Sequence, residues 1–425
     1  MSTLDSITEA EASHPSNRAK NQDSGAHELV TSRPGLAVYS GRIDSWVVSA
    51  EKPIRYEVRF CNDVFALAST DLIGGAPRVS GTRRLVVIDS TVDRLCGDRI
   101  RAYFDHHEVE VAVSAIRADE TVKNFDTAAQ VIRAIDRFEI ARRREPIIAV
   151  GGGVLMDVVG LVASLYRRGT PFIRVPTTLI GLIDAGIGVK TGVNFDGKKN
   201  RLGAYFPAEL TLLDKSFLVT LPRRQVSNGL AEALKMGLIK DRRLFDLLER
   251  WGPLLLDELL QGRTSAGESA ANEVLRRSVH SMLDELQPNL WETRLERCVD
   301  YGHTFSPTIE MRALPELLHG EAVCVDMALT TILAWQRALI SAEDRDRILA
   351  VMSSLELPTW DPLLTSALLQ GALEDTVRHR DGMQRLPLPV GIGAVTFVHD
   401  VTAEELDRAL TGLRALGRTR EDLGA

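Results

Sequence analysis

Short apolar runs alternate with helical patterns along the first half of the chain. RLVVID at 84–89 and EPIIAV at 145–150 have the continuous apolar character of strands that are buried on both faces of a parallel sheet. YEVRF at 56–60 and VEVAV at 109–113 are further strand candidates, and DTAAQVIRAIDRF at 126–138 repeats apolar residues at helical spacing. This alternation predicts an α/β domain built on a parallel sheet.

The pattern changes beyond about Thr220. The segments GLAEALKMGLIK, RRLFDLLERW and GEAVCVDMALTTILAWQRAL are long and amphipathic, which predicts a mainly α-helical second domain over 220–425, after an α/β domain over 36–219. Residues 1–35 are rich in Ser, Ala, Glu and Asn and contain few large apolar side chains. Such a composition predicts a disordered tail.

Charge and cysteine usage narrow the choice of partners. The 425 residues include 51 Lys and Arg against 58 Asp and Glu, a net charge of −7, so we expect no nucleic-acid partner. The four cysteines show no CxxC spacing, which argues against a disulfide framework or a thiolate zinc site and favours a reducing cytoplasm. The N-terminus lacks the apolar core of a signal peptide, and no uncharged run is long enough to suggest a membrane span.

Three consecutive glycines, Gly151, Gly152 and Gly153, follow the EPIIAV strand and open an apolar helix. Without Cβ atoms they let a pyrophosphate approach the N–H groups of a helix N-terminus, although a sharp turn can require glycine for its conformation alone. Asp89 ends the RLVVID strand, where a carboxylate can accept hydrogen bonds from a ribose or adenine. The alternative role for Asp89 is a turn or helix N-cap.

Two further groups of polar residues suggest ligand contacts. Glu120 and Lys123 lie three residues apart after the VEVAV strand, where the alternative is a surface ion pair. The segment 175–200 is apolar and glycine-rich yet dense in polar side chains, so we expect it to bind a polar ligand rather than form a solvated loop. Its polar residues are Thr177, Thr178, Asp184, Lys190, Asn194, Lys198, Lys199 and Asn200.

A metal site is indicated by three residues of the second half. Glu232 and Lys235 share one face of an apolar helix, where a carboxylate needs a partner, and His303 and His319 follow in glycine-flanked settings. Glu and two His suit Zn²⁺ and leave an open position of the kind found in catalytic sites. Glu321 is a candidate to orient one histidine. The alternatives are a surface pair for the helix residues and structural roles for the histidines.

With these residues identified, the chain resembles the sugar phosphate cyclases, the superfamily of 3-dehydroquinate synthase, over nearly all of residues 40–400. The resemblance rests on Asp89, the Glu120-x-x-Lys123 pair, the GGG turn with Asp157, Arg168, PTTL at 176–179, Asp184, Lys190, GKKN at 197–200, Phe217, Thr220, Glu232 with Lys235, GHTF at 302–305 and HGEAV at 319–323.

The resemblance implies a Rossmann-like NAD-binding domain, a helical domain that holds Zn²⁺, or Co²⁺, on Glu232, His303 and His319, and a homodimer. The implied cofactor-binding residues are Asp89, Glu120, Lys123, Gly151, Gly152, Gly153, Asp157, Thr177, Thr178, Leu179, Lys199, Phe217, Thr220 and Leu221. The residues implied to act on substrate are Lys190, Lys235, Asp184, Arg168, Asn200, Asp300 and His379.

Departures from the dehydroquinate synthase pattern indicate the substrate. Asp300 stands at that pattern's Asn, Glu296 at an Arg that binds a substrate carboxylate, and Pro307 at a second His. A carboxylate near a substrate carboxylate costs Coulomb energy, whereas Asp suits neutral hydroxyls. These changes, with Leu286 and His379, resemble the branch that cyclises sedoheptulose 7-phosphate, in particular to 2-epi-5-epi-valiolone and phosphate.

In this branch NAD⁺ transiently oxidises a secondary alcohol, phosphate is eliminated, the hydride returns, and the opened ring closes by an intramolecular aldol reaction. The nearest alternative is 3-dehydroquinate synthase or another sedoheptulose 7-phosphate cyclase. Outside this class, a zinc polyol dehydrogenase would share the same two kinds of site but release NADH. A sugar-phosphate sensor without catalytic activity is a more distant alternative.

Overall fold

The computed structural model describes residues 38–40, 45–74 and 83–421, so the predicted tail over 1–35 lies outside the described residues. The chain divides into two units, residues 1–55 and 56–425. In the first, β1 (Val38–Ser40) pairs with β2 (Ser45–Val47) in an antiparallel hairpin. The second unit contains the elements described below.

A six-stranded, all-parallel sheet forms the nucleotide half, as the apolar runs predicted. Its strand order is β3-β10-β7-β6-β4-β5. The strands are β3 (Glu57–Phe60), β4 (Arg83–Asp89), β5 (Glu110–Ile116), β6 (Ile147–Gly151), β7 (Phe172–Pro176) and β10 (Leu210–Leu213).

Helices cover both faces of this sheet, which explains the continuous apolar runs. Leu85 and Val87 of β4 face one core together with helices α3 (Phe125–Phe138) and α4 (Gly153–Leu165). Val86 and Ile88 face the other core with α2 (Ser90–His106), whereas α1 (Asp71–Gly74) is a single turn. Because successive strand residues point to opposite faces, a strand buried on both sides requires apolar residues at every position.

The glycine-, asparagine- and lysine-rich segment after β7 has regular structure, so the alternative of a solvated loop is wrong. It forms a π-helical turn over Gly181–Ala185 and an antiparallel hairpin of β8 (Lys190–Phe195) and β9 (Lys198–Tyr205). Asp196 and Gly197 at the tip have φ values of 50° and 66°. Asp-Gly is a preferred pair for a two-residue hairpin turn with positive φ at both positions.

The second half is mainly helical, as predicted, with one small hairpin of β11 (Leu386–Pro389) and β12 (Val395–Val398). The helices are α5 (Arg223–Ile239), α6 (Arg242–Asp257), α7 (Ser265–Leu286), α8 (Ser306–Ala313), α9 (His319–Gln336), α10 (Ala342–Ser354), α11 (Ser366–His379) and α12 (Ala403–Glu421). Helix α9 is the centre of this half, because its residues 320–334 are all buried.

A 3₁₀ turn over Lys215–Thr220 joins the last strand of the sheet to α5. The domain boundary between 219 and 220 falls in this turn and stays a prediction. Among the described residues, no helix combines the length and apolar character needed to cross a membrane.

Arg174 links the sheet to the segment that carries Asp184 and Lys190. It lies on β7 with 1% exposure, and its guanidinium donates to the carbonyl oxygens of Gly186 at 3.3 Å, Gly188 at 2.5 Å and Lys190 at 3.4 Å. Burial lowers the pKa of Arg174 to about 10, so it remains charged at neutral pH. A single buried cation therefore fixes the path of the chain between the π-helical turn and β8.

We expect Arg174→Leu to lower the free energy of unfolding by about 3 kcal/mol, because three carbonyl groups inside the protein lose a hydrogen bond from the guanidinium; the carbonyl of Gly186 keeps the hydroxyl of Thr211 as a donor. Denaturant unfolding measures this change. The matched control is Arg101→Leu, whose side chain is 45% exposed and pairs with Asp93; its effect should stay below about 1 kcal/mol. Equal losses in both variants would contradict the role of Arg174.

Candidate active site

Helix α5 places Glu232 and Lys235 on one face, both with 1% exposure. Lys235 Nζ lies 2.5 Å from Glu232 Oε2, so the alternative of a surface pair is wrong. Burial disfavours the charge of Glu232, yet Lys235 and the two histidines hold its pKa well below the usual range. Burial likewise opposes the charge of Lys235, but Glu232 and Asp184 raise its pKa. The pair is therefore ionised inside the protein.

The two predicted histidines face the other oxygen of this carboxylate. His319 Nε2 lies 3.3 Å and His303 Nε2 3.7 Å from Glu232 Oε1, and the three ligand atoms lie within 4.8 Å of one another. Glu232 Oε1 is buried and receives no hydrogen bond within the described part of the chain. Zinc ligands about 2.1 Å from the ion lie about 3.4 Å apart in a tetrahedron, so these residues fit a zinc ion with one open position.

Each imidazole is held by its other nitrogen. His303 Nδ1 lies 3.1 Å from the carbonyl oxygen of Tyr301, and His319 Nδ1 lies 2.8 Å from Glu310 Oε2. These contacts leave both Nε2 atoms facing Glu232. Orientation by a carboxylate or carbonyl is the usual arrangement around metal-binding histidines.

The prediction that Glu321 orients a histidine is wrong. Its carboxylate instead accepts from Arg224 at 2.6 Å and from the backbone N–H of Leu318 at 2.8 Å, at the N-terminus of α9. Residues at positions 319 and 321 of one helix point to different sides, whereas α8 brings Glu310 against the ring of His319.

The two histidines differ in protonation. Burial lowers the pKa of His303 to about 3, with a further contribution from Lys235. Burial also opposes protonation of His319, but Glu310 and Glu232 raise its pKa to about 9. Because a metal ion and a proton compete for the same nitrogen, metal binding at neutral pH must release a proton from His319.

Lys199, a predicted cofactor contact, lies beside this metal site. Its Nζ is 2.5 Å from Glu310 Oε2 and 3.1 Å from His319 Nδ1. Burial disfavours the charge of Glu310, but Lys199 and His319 lower its pKa. The ion pair thus connects β9 to the helices that carry the metal-site residues.

Helix α9 also fixes the loop that contains His303. Asp326, with no exposure, accepts hydrogen bonds from the N–H groups of Phe305 at 2.6 Å and Ser306 at 2.9 Å. On the other side of His303, the hydroxyl of Tyr301 lies 3.3 Å from Thr331 on the same helix. Burial raises the pKa of Asp326 to about 6.

Asp184 and Lys190 lie next to the metal site. Burial raises the pKa of Asp184, although Lys235 opposes this rise. The side chain of Lys190 is 57% exposed, and its Nζ lies 2.5 Å from Glu292.

Asp300 is bound by two arginines rather than open to substrate hydroxyls. Its Oδ2 accepts from Arg297 Nε at 3.1 Å and from Arg380 Nη2 at 2.9 Å. Burial disfavours its charge, but the two guanidiniums lower the pKa of Asp300. The predicted hydroxyl contact therefore competes with two ion pairs. Glu296 lies outside this cluster, half exposed and 3.7 Å from His399.

Other predicted substrate contacts are more dispersed. His379 is exposed at the end of α11, with its Nε2 2.9 Å from Arg201 on β9. Leu286, at the end of α7, is half-buried against the helical core. Arg168 is exposed beyond the C-terminus of α4. Because α4 is 13 residues long, about 20 Å, Arg168 lies at the opposite edge of the sheet from the glycine turn.

The glycine turn lies where strand order reverses. The chain passes from β4 to β5 on one side and then to β6 on the other, so the carboxyl ends of β4 and β6 flank a crevice. Open α/β sheets bind ligands at such a switch point. Gly152 caps α4 without a side-chain hydrogen bond, and an added Cβ there would lie 3.1 Å from Thr178.

Asp89 at this crevice N-caps α2 by accepting from the N–H groups of Thr91 at 2.7 Å and Val92 at 3.3 Å. The N-cap alternative therefore describes its local bonding. A carboxylate oxygen can accept more than one hydrogen bond, so the predicted ribose or adenine contact stays a prediction.

Lys123 is not part of a surface ion pair, because it is 3% exposed and bonds to residues other than Glu120. Its Nζ lies 2.6 Å from Asp157 on α4 and 2.6 Å from Asn200 on β9. Glu120 instead accepts from Asn194 Nδ2 at 2.8 Å. These bonds tie the β8–β9 hairpin to the nucleotide half.

The remaining predicted cofactor residues form three pairs. Thr177 and Thr178 follow β7 beside the glycine turn, and the Thr177 N–H donates to the Gly151 carbonyl at 2.9 Å. The side chains of Leu179 and Phe217 are buried in hydrophobic cores, which leaves chiefly their backbone for a ligand. Thr220, which is exposed, and Leu221, which is half-buried, follow Phe217 at the start of the helical half.

Several residues of the site were missed by sequence reasoning. Glu310, Arg297 and Arg380 come from separate parts of the chain, and Glu292 lies in the segment just before Arg297. The Glu at the end of GHTFSPTIE was the one available signal, since this carboxylate follows His303 by only seven residues.

We expect Glu310→Ala to weaken Zn²⁺ binding 10- to 100-fold, roughly the usual loss when a histidine ligand loses its carboxylate partner. Competition with a chromogenic chelator measures this affinity. The matched control is Glu321→Ala, because Glu321 is also a buried carboxylate near His319 but is bonded to Arg224. The Zn²⁺ affinity of this variant should change less than about 3-fold. Equal weakening in both variants would refute the assignment of Glu310.

The raised pKa of Asp326 makes its contribution to stability depend on pH. The native pKa of about 6 exceeds the unfolded value of 3.8, so the native state binds more protons between these values and stability falls as pH rises. Asp326→Asn lacks this penalty. Its stability relative to wild type should therefore increase by about 2 kcal/mol from about pH 4.5 to about pH 7.5.

Denaturant unfolding of the chelator-treated proteins measures this difference. Ser278→Ala is the control, because Ser278 is equally buried, bonds within α7 and does not titrate. Its stability relative to wild type should not vary with pH. A flat difference for Asp326→Asn would show that Asp326 does not titrate in this range.

Comparison with protein families matches the two halves of the chain in sequence. Residues 113–228 match the N-terminal model of 3-dehydroquinate synthase, and residues 229–377 match its C-terminal model. Together the models cover more than half of the 425 residues.

Individual relatives narrow this assignment. The chain is 67% identical over 367 residues to a 2-epi-5-epi-valiolone synthase from Actinoplanes sp., covering 86% of this chain and 92% of the relative. It is 64% identical to the enzyme of that name from Streptomyces albus, covering 88% and 92%.

A solved structure has the same fold over most of this chain. It is a 2-epi-5-epi-valiolone synthase from Streptomyces hygroscopicus subsp. jinggangensis with NAD⁺ and Zn²⁺ bound, 51% identical, with a TM-score of 0.83. The match covers 87% of this chain and 99% of that one. The chain therefore belongs to the 3-dehydroquinate synthase-like sugar phosphate cyclases and groups with their 2-epi-5-epi-valiolone synthases.

Proposed function

We propose that this protein converts sedoheptulose 7-phosphate to 2-epi-5-epi-valiolone and phosphate, as an NAD- and zinc-dependent lyase. The observation that carries the proposal is the cluster of buried Glu232 with half-buried His303 and His319, in a chain 67% identical to a synthase of this name. Glu232 Oε1 makes no hydrogen bond with the described residues and faces the Nε2 atoms of two imidazoles, an arrangement that a divalent cation completes once His319 has released its proton.

NAD⁺ and Zn²⁺, when bound, would supply the redox and Lewis-acid chemistry. NAD⁺ would accept and return a hydride, and Zn²⁺ would lower the pKa of a substrate hydroxyl. The crevice between β4 and β6 would hold the nucleotide, with Gly151, Gly152 and Gly153 against its phosphates and Asp89 against its ribose or adenine. Relatives solved with Zn²⁺ and with Co²⁺ support either metal.

The side chains around the metal site would position the sugar and balance its charge. Lys235, buried and ionised by Glu232, would stabilise negative charge on the oxygen that loses its proton. Lys190, more than half exposed, would meet the substrate at the entrance. Asp184 would accept a hydrogen bond from a substrate hydroxyl, and Asn200 would contact the substrate from β9.

We also propose a homodimer. Arg168 lies at the far edge of the sheet in its own chain, about 20 Å from the glycine turn. Arg168 can make its predicted contact with a substrate only if that substrate is bound by a second copy of the chain. We further propose a reducing cytoplasm, because Cys61, Cys96, Cys298 and Cys324 are all free thiols.

The test incubates zinc-loaded protein and catalytic NAD⁺ with sedoheptulose 7-phosphate or with the carboxylated sugar 3-deoxy-D-arabino-heptulosonate 7-phosphate. Phosphate release and NMR of the product are followed. We expect phosphate and 2-epi-5-epi-valiolone from the first sugar only, without net NADH, because the hydride returns to the substrate.

Each alternative gives a different result. Turnover of the carboxylated sugar would identify a 3-dehydroquinate synthase, whereas NADH that accumulates with a polyol would identify a dehydrogenase. Glu232→Gln should bind zinc poorly and lose at least about 100-fold in rate, since the metal loses its charged ligand.

A further inference from the structure

Two cations beside the metal site are neutralised by a carboxylate of the protein itself. Lys190 Nζ lies 2.5 Å from Glu292 Oε1, and the guanidinium of Arg297 pairs with the same oxygen. The hydroxyl of Tyr205 donates to the other oxygen, Oε2, at 3.1 Å. The side chain of Glu292 is only 15% exposed, so three donors hold its carboxylate at the mouth of the site.

A tight turn before Arg297 presents this carboxylate. Asn289 accepts from the N–H of Glu292 at 2.9 Å through its carbonyl, and its side chain bonds to the backbone of Arg294 at 2.8 Å and 3.0 Å. The neighbouring Trp291 packs edge-on against Tyr205, with ring centroids 6.0 Å apart. The turn is therefore fixed to β9, and the position of Glu292 is set both by the bonds within the turn and by the contacts with β9.

Arg297 has a second carboxylate on its other side. Its Nε donates to Asp300 at 3.1 Å, and Asp300 also accepts from Arg380. The cations Lys190 and Arg297 would otherwise form a site for a carboxylate, since paired Lys and Arg bind such groups strongly. Here the charge that this site would attract is already supplied by the chain.

We propose that Glu292 is a specificity-determining residue that excludes sugar phosphates carrying a carboxylate. Its own carboxylate occupies the place between Lys190 and Arg297 where a substrate carboxylate would bind, and it repels a second negative charge there. A sugar that carries a neutral hydroxymethyl group in place of the carboxylate is not repelled by Glu292. This inference rests on the proposed function and assigns the selection to Glu292 rather than to Glu296.

The test measures, by calorimetry, the binding of two sugars, sedoheptulose 7-phosphate and 3-deoxy-D-arabino-heptulosonate 7-phosphate. The enzyme is loaded with zinc and NADH, because the reduced cofactor cannot begin the oxidation. In Glu292→Gln the affinity for the carboxylated sugar should rise at least about 10-fold, with less than about 3-fold change for the neutral one. Glu296→Gln is the matched control, because Glu296 lies in the same segment but is half exposed and faces His399. Its affinities should match wild type.

Equal behaviour of the two variants would overturn the proposal. An equal gain for both sugars would also overturn it, because Glu292 would then compete with the phosphate that the sugars share. Failure of the proposed function would look different: wild-type enzyme would not turn over sedoheptulose 7-phosphate, whereas the binding comparison does not depend on turnover.

Discussion

A buried negative charge governs the helical half of this protein. Glu232 is 1% exposed, and a carboxylate at that depth is tolerated only with compensating positive charge. Lys235 supplies part of it at 2.5 Å, and the geometry of His303 and His319 leaves room for a cation at the other oxygen. Burial of this carboxylate is costly without a metal ion. It also favours strong metal binding, because the ligand positions are set before the metal binds.

Helix α9 gives that site its rigidity. His319 begins the helix, while Asp326 and Thr331, further along, bind the chain on both sides of His303. One buried helix thus positions both imidazoles: it carries His319 and fixes the loop that contains His303. Asp326 carries a cost for this role, since burial raises its pKa to about 6 and it is charged at neutral pH.

The β8–β9 hairpin connects the nucleotide half with the metal site. Asn200 bonds to the buried Lys123 of the first half, and the adjacent Lys199 pairs with Glu310 of the second. These two residues are consecutive on β9, so one short strand contacts both halves. Lys190 and Tyr205, which are paired across the hairpin, hold Glu292 at the entrance to the site.

The pattern of residues along the chain determined the fold class and the metal-site residues of this protein. The apolar runs predicted the parallel sheet, the helical period predicted the second half, and the residue types Glu232, His303 and His319 predicted a metal cluster that the structure brings together. These features depend on periodicity or on residue chemistry, which are visible along the chain. Only the tertiary structure decided that Glu310, not Glu321, holds His319 and that Asp300 is bound by arginines. Those partners come from separate segments, and packing alone sets which side chains meet.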